Sequence, residues 1–189
     1  MKNIFAIILL TTITSINAQV IIGDAAGTAT DKTSVLLDFA KNQNKGIIVP
    51  YVRTLPTSLP TRTEGTILLD VSDPTKARMK VYNANTISGT NGWQDLSGQD
   101  ANLTTPVNYL TAQPTGVTET NSKAIIGAQT SSADGVLVLE STTKAMVLPM
   151  VLDVQNIPSP SPGMMVYVNK SGAKRLAVFN GSKWSFWKP

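Results

Sequence analysis

Two stretches of the chain alternate apolar and polar positions with a period of two. In residues 76–82, Lys76, Arg78, Lys80 and Tyr82 alternate with Ala77, Met79 and Val81. Successive side chains of a strand point to opposite faces, so this pattern predicts one wet and one buried face. Residues 175–179 repeat it, with Leu176 and Val178 assigned inward and Arg175, Ala177 and Phe179 outward. The runs 46–52 and 145–152 are nearly continuously apolar, and each contains one proline, Pro50 or Pro149. Proline cannot donate to a ladder, so each proline predicts a sheet edge, a bulge or a strand end. Residues 66–71 and 164–168 follow a glycine and predict buried strands. Asn180-Gly181 predicts a hairpin leading into Lys183-Trp184-Ser185-Phe186-Trp187, and Asn91-Gly92 stands just before Trp93. One helical turn is assigned around residues 34–41. The fold class predicted is all-β, built from short strands with little or no helix.

The pattern occurs twice. Ile21, Ile22 and Gly23 match Ile125, Ile126 and Gly127, and Val35 and Leu36 match Val136 and Leu137. Lys45 and Pro50 match Lys144 and Pro149; Pro60 and Gly65 match Pro158 and Gly163. Arg78, Val81 and Asn83 match Arg175, Val178 and Asn180, and Trp93 matches Trp184. The insertions of the first copy, at residues 42–44 and 84–91, fall in Asn-, Gly-, Ser- and Thr-rich turns, where loops tolerate added length. The chain therefore reads as two tandem copies of one β module, residues 19–98 and 124–189. The connecting segment, residues 99–123, is rich in Thr, Asn, Gln and Pro but carries Leu103, Val107, Tyr109 and Leu110. A pure linker has no use for these apolar residues, so an extended, partly ordered segment is expected.

Residues 1–18 read as a signal peptide: Lys2 is the positive n-region, residues 4–16 are the apolar core, and Ala18 is the small residue before cleavage. This predicts an exported protein of the periplasm, the outer membrane surface or the extracellular space. No second long apolar run follows, so no transmembrane helix is predicted for the mature chain. There is no Cys, which excludes disulfides and a Cys-linked lipid anchor. The net charge of +4 comes from scattered residues, which argues against a nucleic-acid partner.

The series Ala124-Ile125-Ile126-Gly127, Ser141-Thr142-Thr143-Lys144-Ala145-Met146-Val147-Leu148-Pro149, Pro162-Gly163-Met164-Met165-Val166-Tyr167 and Val178-Phe179-Asn180-Gly181-Ser182-Lys183-Trp184 resembles a module of secreted Bacteroidetes proteins. In that family a Gly-Ile-Gly-Thr segment leads to a Lys-Gly-Leu-Leu-Pro-Arg stretch, a Gly-Leu-Ile-Val-Tyr strand and an Asp-Gly-Thr-x-Trp hairpin. The resemblance covers both copies, the second more closely. It departs where Tyr51 and Met150 replace the Arg after Pro, and where Val20 and Ala124 replace the first Gly. Such modules sit in surface or tail-fibre-like proteins, so the resemblance implies a β-rich, exported, non-enzymatic structural part, and it carries over no catalytic residues.

The chemistry available is narrow. With neither His nor Cys, imidazole bases, thiol nucleophiles and zinc or copper sites of N and S ligands are excluded. Ser171 to Lys174 and Ser182-Lys183 lie in predicted turns. Of the carboxylates Glu64, Asp70, Asp73 and Asp95, none has a carboxylate at its matched position in copy two. Asp70 and Asp73 alone are too few for a calcium site. No enzyme activity, cofactor or metal is expected. The remaining candidates are aromatic. Trp93, Trp184, Phe186 and Trp187, with Tyr82 and Phe179, gather at the last hairpin of each copy and are the candidate partner or glycan contacts. Trp93 and Trp184 occur in both copies and read as module packing. Phe186 and Trp187 stand where copy one has Asp95 and Leu96, so they are the stronger candidates for a partner. Met146, Met150, Met164 and Met165 give copy two an adaptable apolar surface. The reading that follows is a structural or interaction protein of the cell surface or outer membrane. Its partners are other proteins or further copies of itself, a homotrimer by analogy to fibre-like relatives. The alternatives are a module that binds surface polysaccharide and an accessory subunit of a large outer-membrane complex.

Overall fold

A computed structural model describes residues 19–58, 62–84, 90–112 and 123–187. The signal-peptide assignment, Pro60 and most of the 84–91 insertion lie outside the described residues. The described chain is all-β. Copy one supplies β1 (Val20–Ile22), β2 (Val35–Phe39), β3 (Ile47–Ile48), β4 (Tyr51–Val52), β5 (Ile67–Asp70), β6 (Arg78–Tyr82) and β7 (Trp93–Asp95). Copy two supplies β8 (Ala124–Ile126), β9 (Leu137–Leu139), β10 (Ala145–Met146), β11 (Met150–Val151), β12 (Met164–Val168), β13 (Arg175–Phe179) and β14 (Trp184–Trp187). Single 3-10 turns stand at Tyr109–Ala112 and Val154–Asn156.

The helical turn expected around residues 34–41 is instead β2. Its backbone pairs in parallel with β1 on one side and β10 on the other, and this tertiary pairing overrides local preference. The parallel pairs also correct the match between the copies. Val20 lies opposite Leu37, and Ala124 opposite Leu137, so Leu37 and Leu137 are counterparts. The match of Val35 to Val136 is off by one residue here, and a one-residue slip turns every side chain to the other face.

Each proline-interrupted run is two strands in two different sheets. β3 pairs with β12 of copy two, and after Pro50 the chain enters β4, which pairs with β5. β10 pairs with β2 of copy one, and after Pro149 the chain enters β11, which pairs with β12. The proline, with no N–H to give, marks the point where the strand changes sheets. Its carbonyl still serves: the Leu69 N–H donates to Pro50 O, and the Tyr167 N–H to Pro149 O, each at 2.9 Å. The resulting sheets run β4-β5-β6-β7 and β11-β12-β13-β14, with smaller β1-β2-β10 and β8-β9 sheets.

Both faces of the two larger sheets carry buried residues. Between the copies lies a shared core of Leu69, Val71, Ala77 and Met79 from copy one against Met165 and Val178 from copy two. On the far face of β12 and β13, Val166, Val168, Ala177 and Phe179 pack under Val151, Val154 and Ile157. On the far face of β5 and β6, Leu68 packs with Tyr82 and Trp93. Ala177, Phe179 and Tyr82, assigned to wet faces, are therefore buried. Period-two alternation marks a strand with one dry face, but the segment after β11 and the β7 hairpin supply a second cover. The apolar residues of the connecting segment behave as their chemistry requires. Leu103 and Leu110 are buried in the shared core, Tyr109 packs against it, and Val107 faces solvent. Ala101 and Ala77 exchange two backbone hydrogen bonds, of 2.8 and 3.1 Å, which lay the segment along β6.

Candidate interaction surface

The last hairpin of each copy carries the aromatic candidates, and the structure gives each a distinct setting. In copy one, Trp93 is buried edge-on to Tyr82 with ring centroids 5.4 Å apart. Its indole N–H donates to Pro56 O at 3.2 Å. In copy two, Phe179 is buried and Trp184 half-buried, centroids 5.2 Å apart. These four residues hold hairpin to sheet, as a ring needs an apolar bed and a buried indole needs an acceptor. Phe186 and Trp187, by contrast, are nearly half-exposed.

The change from Asp95 to Phe186 has a clear geometric meaning. In copy one, Arg78 pairs with Asp95 and with Asp100 at 2.7 Å, and both carboxylates raise its pKa, Asp100 the more. In copy two the counterpart Arg175 lies over the Phe186 ring, 4.4 Å from its centroid. An ion pair has been replaced by a cation–π contact at the same place in the fold. Beside it, copy one has Asp70 and Lys80 paired at 2.7 Å where copy two has Val168 and Ala177. Burial pushes the Asp70 carboxyl up, but Lys80 and the Ser72 N–H and hydroxyl outweigh it and hold it below its ordinary value. The outer face of copy one is thus ionic, and that of copy two apolar and aromatic.

Trp187 belongs to the seam between the copies. Its indole N–H donates to Leu96 O at 2.9 Å, while the Ser185 hydroxyl donates to Ser97 O. The fully buried Asn180 donates to Gln99 O at 2.7 Å and accepts from the Ser182 and Lys183 N–H groups at 3.0 Å, closing the Asn-Gly turn. From the other side, the Tyr51 hydroxyl donates to Pro162 O at 2.8 Å, and burial pushes its pKa up to about 12. Periodicity showed none of these seam contacts. Only the Asn before Gly carried a signal, as a turn residue.

The carboxylates weighed for chemistry all serve local structure. Asp73 accepts from the Thr75 N–H and hydroxyl, Glu64 from the Ala84 N–H, and Asp95 from the Ser97 N–H. Among the described residues no group of three His, Cys, Asp or Glu side chains comes together as for a metal ion. One carboxylate that periodicity overlooked is fully buried: Asp38, paired with Lys32 and accepting from the Ala29 N–H at 3.0 Å. Burial pushes its carboxyl up, but Lys32 and the backbone N–H groups outweigh that and hold it below its ordinary value.

The comparison with known families falls on copy two. Residues 125–188 match a family model described as a phage tail like trimerisation region. In this part the chain is similar to a tail-fibre-like module. The match runs from β8 to the end of β14 and contains the whole aromatic hairpin. No curated protein and no solved structure matches the chain. The apolar surface fits a protein contact of this kind: Ile48, Val136, Leu137, Leu152, Phe186 and Trp187 are all exposed. No helix of the described residues is long and apolar enough to cross a membrane.

Proposed function

We propose that this chain is an exported, non-enzymatic structural protein whose β modules associate with further copies of the chain into a fibre-like assembly. The observation that carries the reading is the match of residues 125–188 to a phage tail like trimerisation region. The exposed apolar residues and the absence of disulfide staples support it, since a chain with no Cys must draw stability from its cores or from its neighbours. In this reading residues 1–18 direct export, the assembly works at the cell surface or outer membrane, and a homotrimer is the first state to test. The resemblance of both copies to modules of secreted Bacteroidetes proteins supports the same setting.

Light scattering on the purified protein at micromolar concentration tests the reading. A discrete oligomer, with three chains as the first expectation, supports it. A well-folded monomer that persists to tens of micromolar overturns it. Fractionation of cells producing a tagged chain tests the location, and recovery of the intact, uncleaved chain in the cytoplasm would refute export.

A further inference from the structure

The two copies contact each other by exchanging one strand, and the exchange is left incomplete at both ends. β3 of copy one lies on β12 of copy two, with Ile48 opposite Met164 and Ile47 opposite Met165. Its counterpart β10 lies on β2 of copy one, with Ala145 opposite Val35 and Met146 opposite Leu37. The exchanged strand therefore meets two different partners, one in each direction. Successive N–H groups of a strand point to opposite edges, and the hydrogen bonds show which edge serves which partner. The Ala145 and Val147 N–H groups donate to Ser34 O and Leu37 O. The Val49 N–H, of the other parity, donates to Gly163 O. The two contacts use opposite edges, so a single strand can make both at once.

Within one chain each exchanged strand makes only one of them. Among the described residues, the open edge of β3 has no strand beside it and β9 pairs only with β8. On the edge of β5 away from β6, β4 lies beside Leu69 and Asp70, but among the described residues no strand lies beside Ile67, the counterpart of Met165. The side chains register the difference. Leu37 is fully buried beneath β10, whereas its counterpart Leu137 on the uncovered β9 is 48% exposed. Leu36 is 2% exposed and its counterpart Val136 is 70% exposed. Ile48 on the open β3 is 51% exposed. An open edge lined with such residues is a template for another strand.

We infer that copy two of one molecule docks on copy one of a second molecule by the same exchange that joins the two copies inside the chain. β3 of the second molecule lies on β9 of the first, with Ile47 opposite Leu137. β10 of the first lies beside the start of β5 of the second, with Met146 opposite Ile67. The occupant is a second copy of this chain because a strand of this chain already sits on the equivalent edge in the observed register. The contact is head-to-tail, so it propagates until a ring closes or a fibre grows. This inference rests on the self-association proposed above and specifies the edges that carry it.

The chain has no cysteine, so an introduced pair reports without background. Two differently tagged single variants, Ile47→Cys and Leu137→Cys, are co-expressed and oxidised. The mixed disulfide between molecules is expected in several-fold excess over that formed by Ile47→Cys with Leu152→Cys, whose site is exposed but off the edge. A second variant, Leu137→Lys, puts a charge on the open edge of β9 and is expected to lower the mass seen by light scattering while circular dichroism stays that of the wild type. If the wild-type protein is oligomeric, but the mixed disulfide shows no excess and Leu137→Lys keeps its full mass, the strand exchange is wrong and self-association stands. A monomeric wild type removes both. Should Leu137→Lys fail to fold, the disulfide yield alone decides.

Discussion

Leu103→Ala tests whether the connecting segment is structural. Leu103 is fully buried among residues of both copies, and its N–H donates to Pro74 O at 2.8 Å. Truncation to Ala removes roughly three methyl or methylene groups, about 2.5 kcal/mol of transfer free energy at about 0.8 kcal/mol each. The cavity adds to this, because neighbours relax only partly, and brings the expected loss to about 3–4 kcal/mol. The site cannot readily collapse, since Leu103 lies against Gly181, where a Cβ would stand 2.3 Å from its Cδ2. Gly181→Ala is accordingly destabilising by itself, and its φ of +109° adds backbone strain. The double variant Leu103→Ala/Gly181→Ala should lose less than the sum of the singles, with a coupling of about 0.5–3 kcal/mol. Denaturant unfolding at one fixed protein concentration measures each value, with the exposed Val107→Ala as control. A loss below about 1 kcal/mol for Leu103→Ala, no larger than that of Val107→Ala, would refute the view that this segment closes the shared core.

Three further outcomes follow from the buried polar groups. Asp38 and Asp70 are both held below their ordinary carboxylate values, so the stability they contribute is present above the unfolded value, near pH 4, and lost as pH falls through the folded one. Thermal melts should drop on acidification below about pH 4; Lys32→Met should cost about 2 kcal/mol at neutral pH and flatten that acid dependence, and an unchanged slope would count against the Asp38 pair. Tyr51→Phe should cost about 1 kcal/mol by leaving the Pro162 carbonyl unpaired. In the wild type Tyr51 should be among the last tyrosines to ionise in an ultraviolet titration. Trp187→Phe should remove most of the tryptophan emission that acrylamide quenches, since Trp93 is buried and Trp184 half-buried, and cost about 0.5–1 kcal/mol through the lost bond to Leu96 O. Unchanged quenching would place the accessible indole elsewhere.

The elements were legible from local pattern wherever one strand obeyed one rule. The alternation at residues 76–82 located β6, and Asn180-Gly181 located the last hairpin, because side-chain period and turn chemistry are properties of a few adjacent residues. Apolar content in the connecting segment, Leu103 and Leu110 included, marked it as more than a linker, but did not say which of its residues enter the core. What escaped the sequence was long-range. Pro50 and Pro149 were read as a sheet edge, a bulge or a strand end; each does stand between the end of one strand and the start of the next, but nothing local says that the next strand joins a different sheet. Ala177 and Phe179 were assigned to solvent because alternation cannot reveal a second cover arriving from residues 151–157. The match of Val35 to Val136 slipped by one residue because equally apolar neighbours leave the register to be decided by pairing partners. Phe186 and Trp187 were singled out as unlike copy one, but only coordinates show that the first takes over the place of an ion pair and the second holds the seam.

Tandem duplication alters the energetics of strand exchange even when the contact itself is unchanged. Inside the chain, β3 and β12 are tethered, so their association is intramolecular, with an effective concentration that reaches the millimolar range for short connections. Between chains the same contact must draw on free protein. One strand pair of two residues is a small interface, and an isolated pairing of that size is marginal in water. The in-chain exchange therefore forms first and gives a folded unit with its shared core complete, while β9, β3 and β10 keep open edges. Joining two such units engages β3 on β9 and β10 on β5 together, so neither contact need be stable alone. This cooperativity explains why the open edges can stay apolar: Val136, Leu137 and Ile48 are exposed in the single chain and covered only when both contacts form. Lys or Pro at these positions would protect a monomer from aggregation, and the absence of such protection on β9 is what an edge kept for assembly requires.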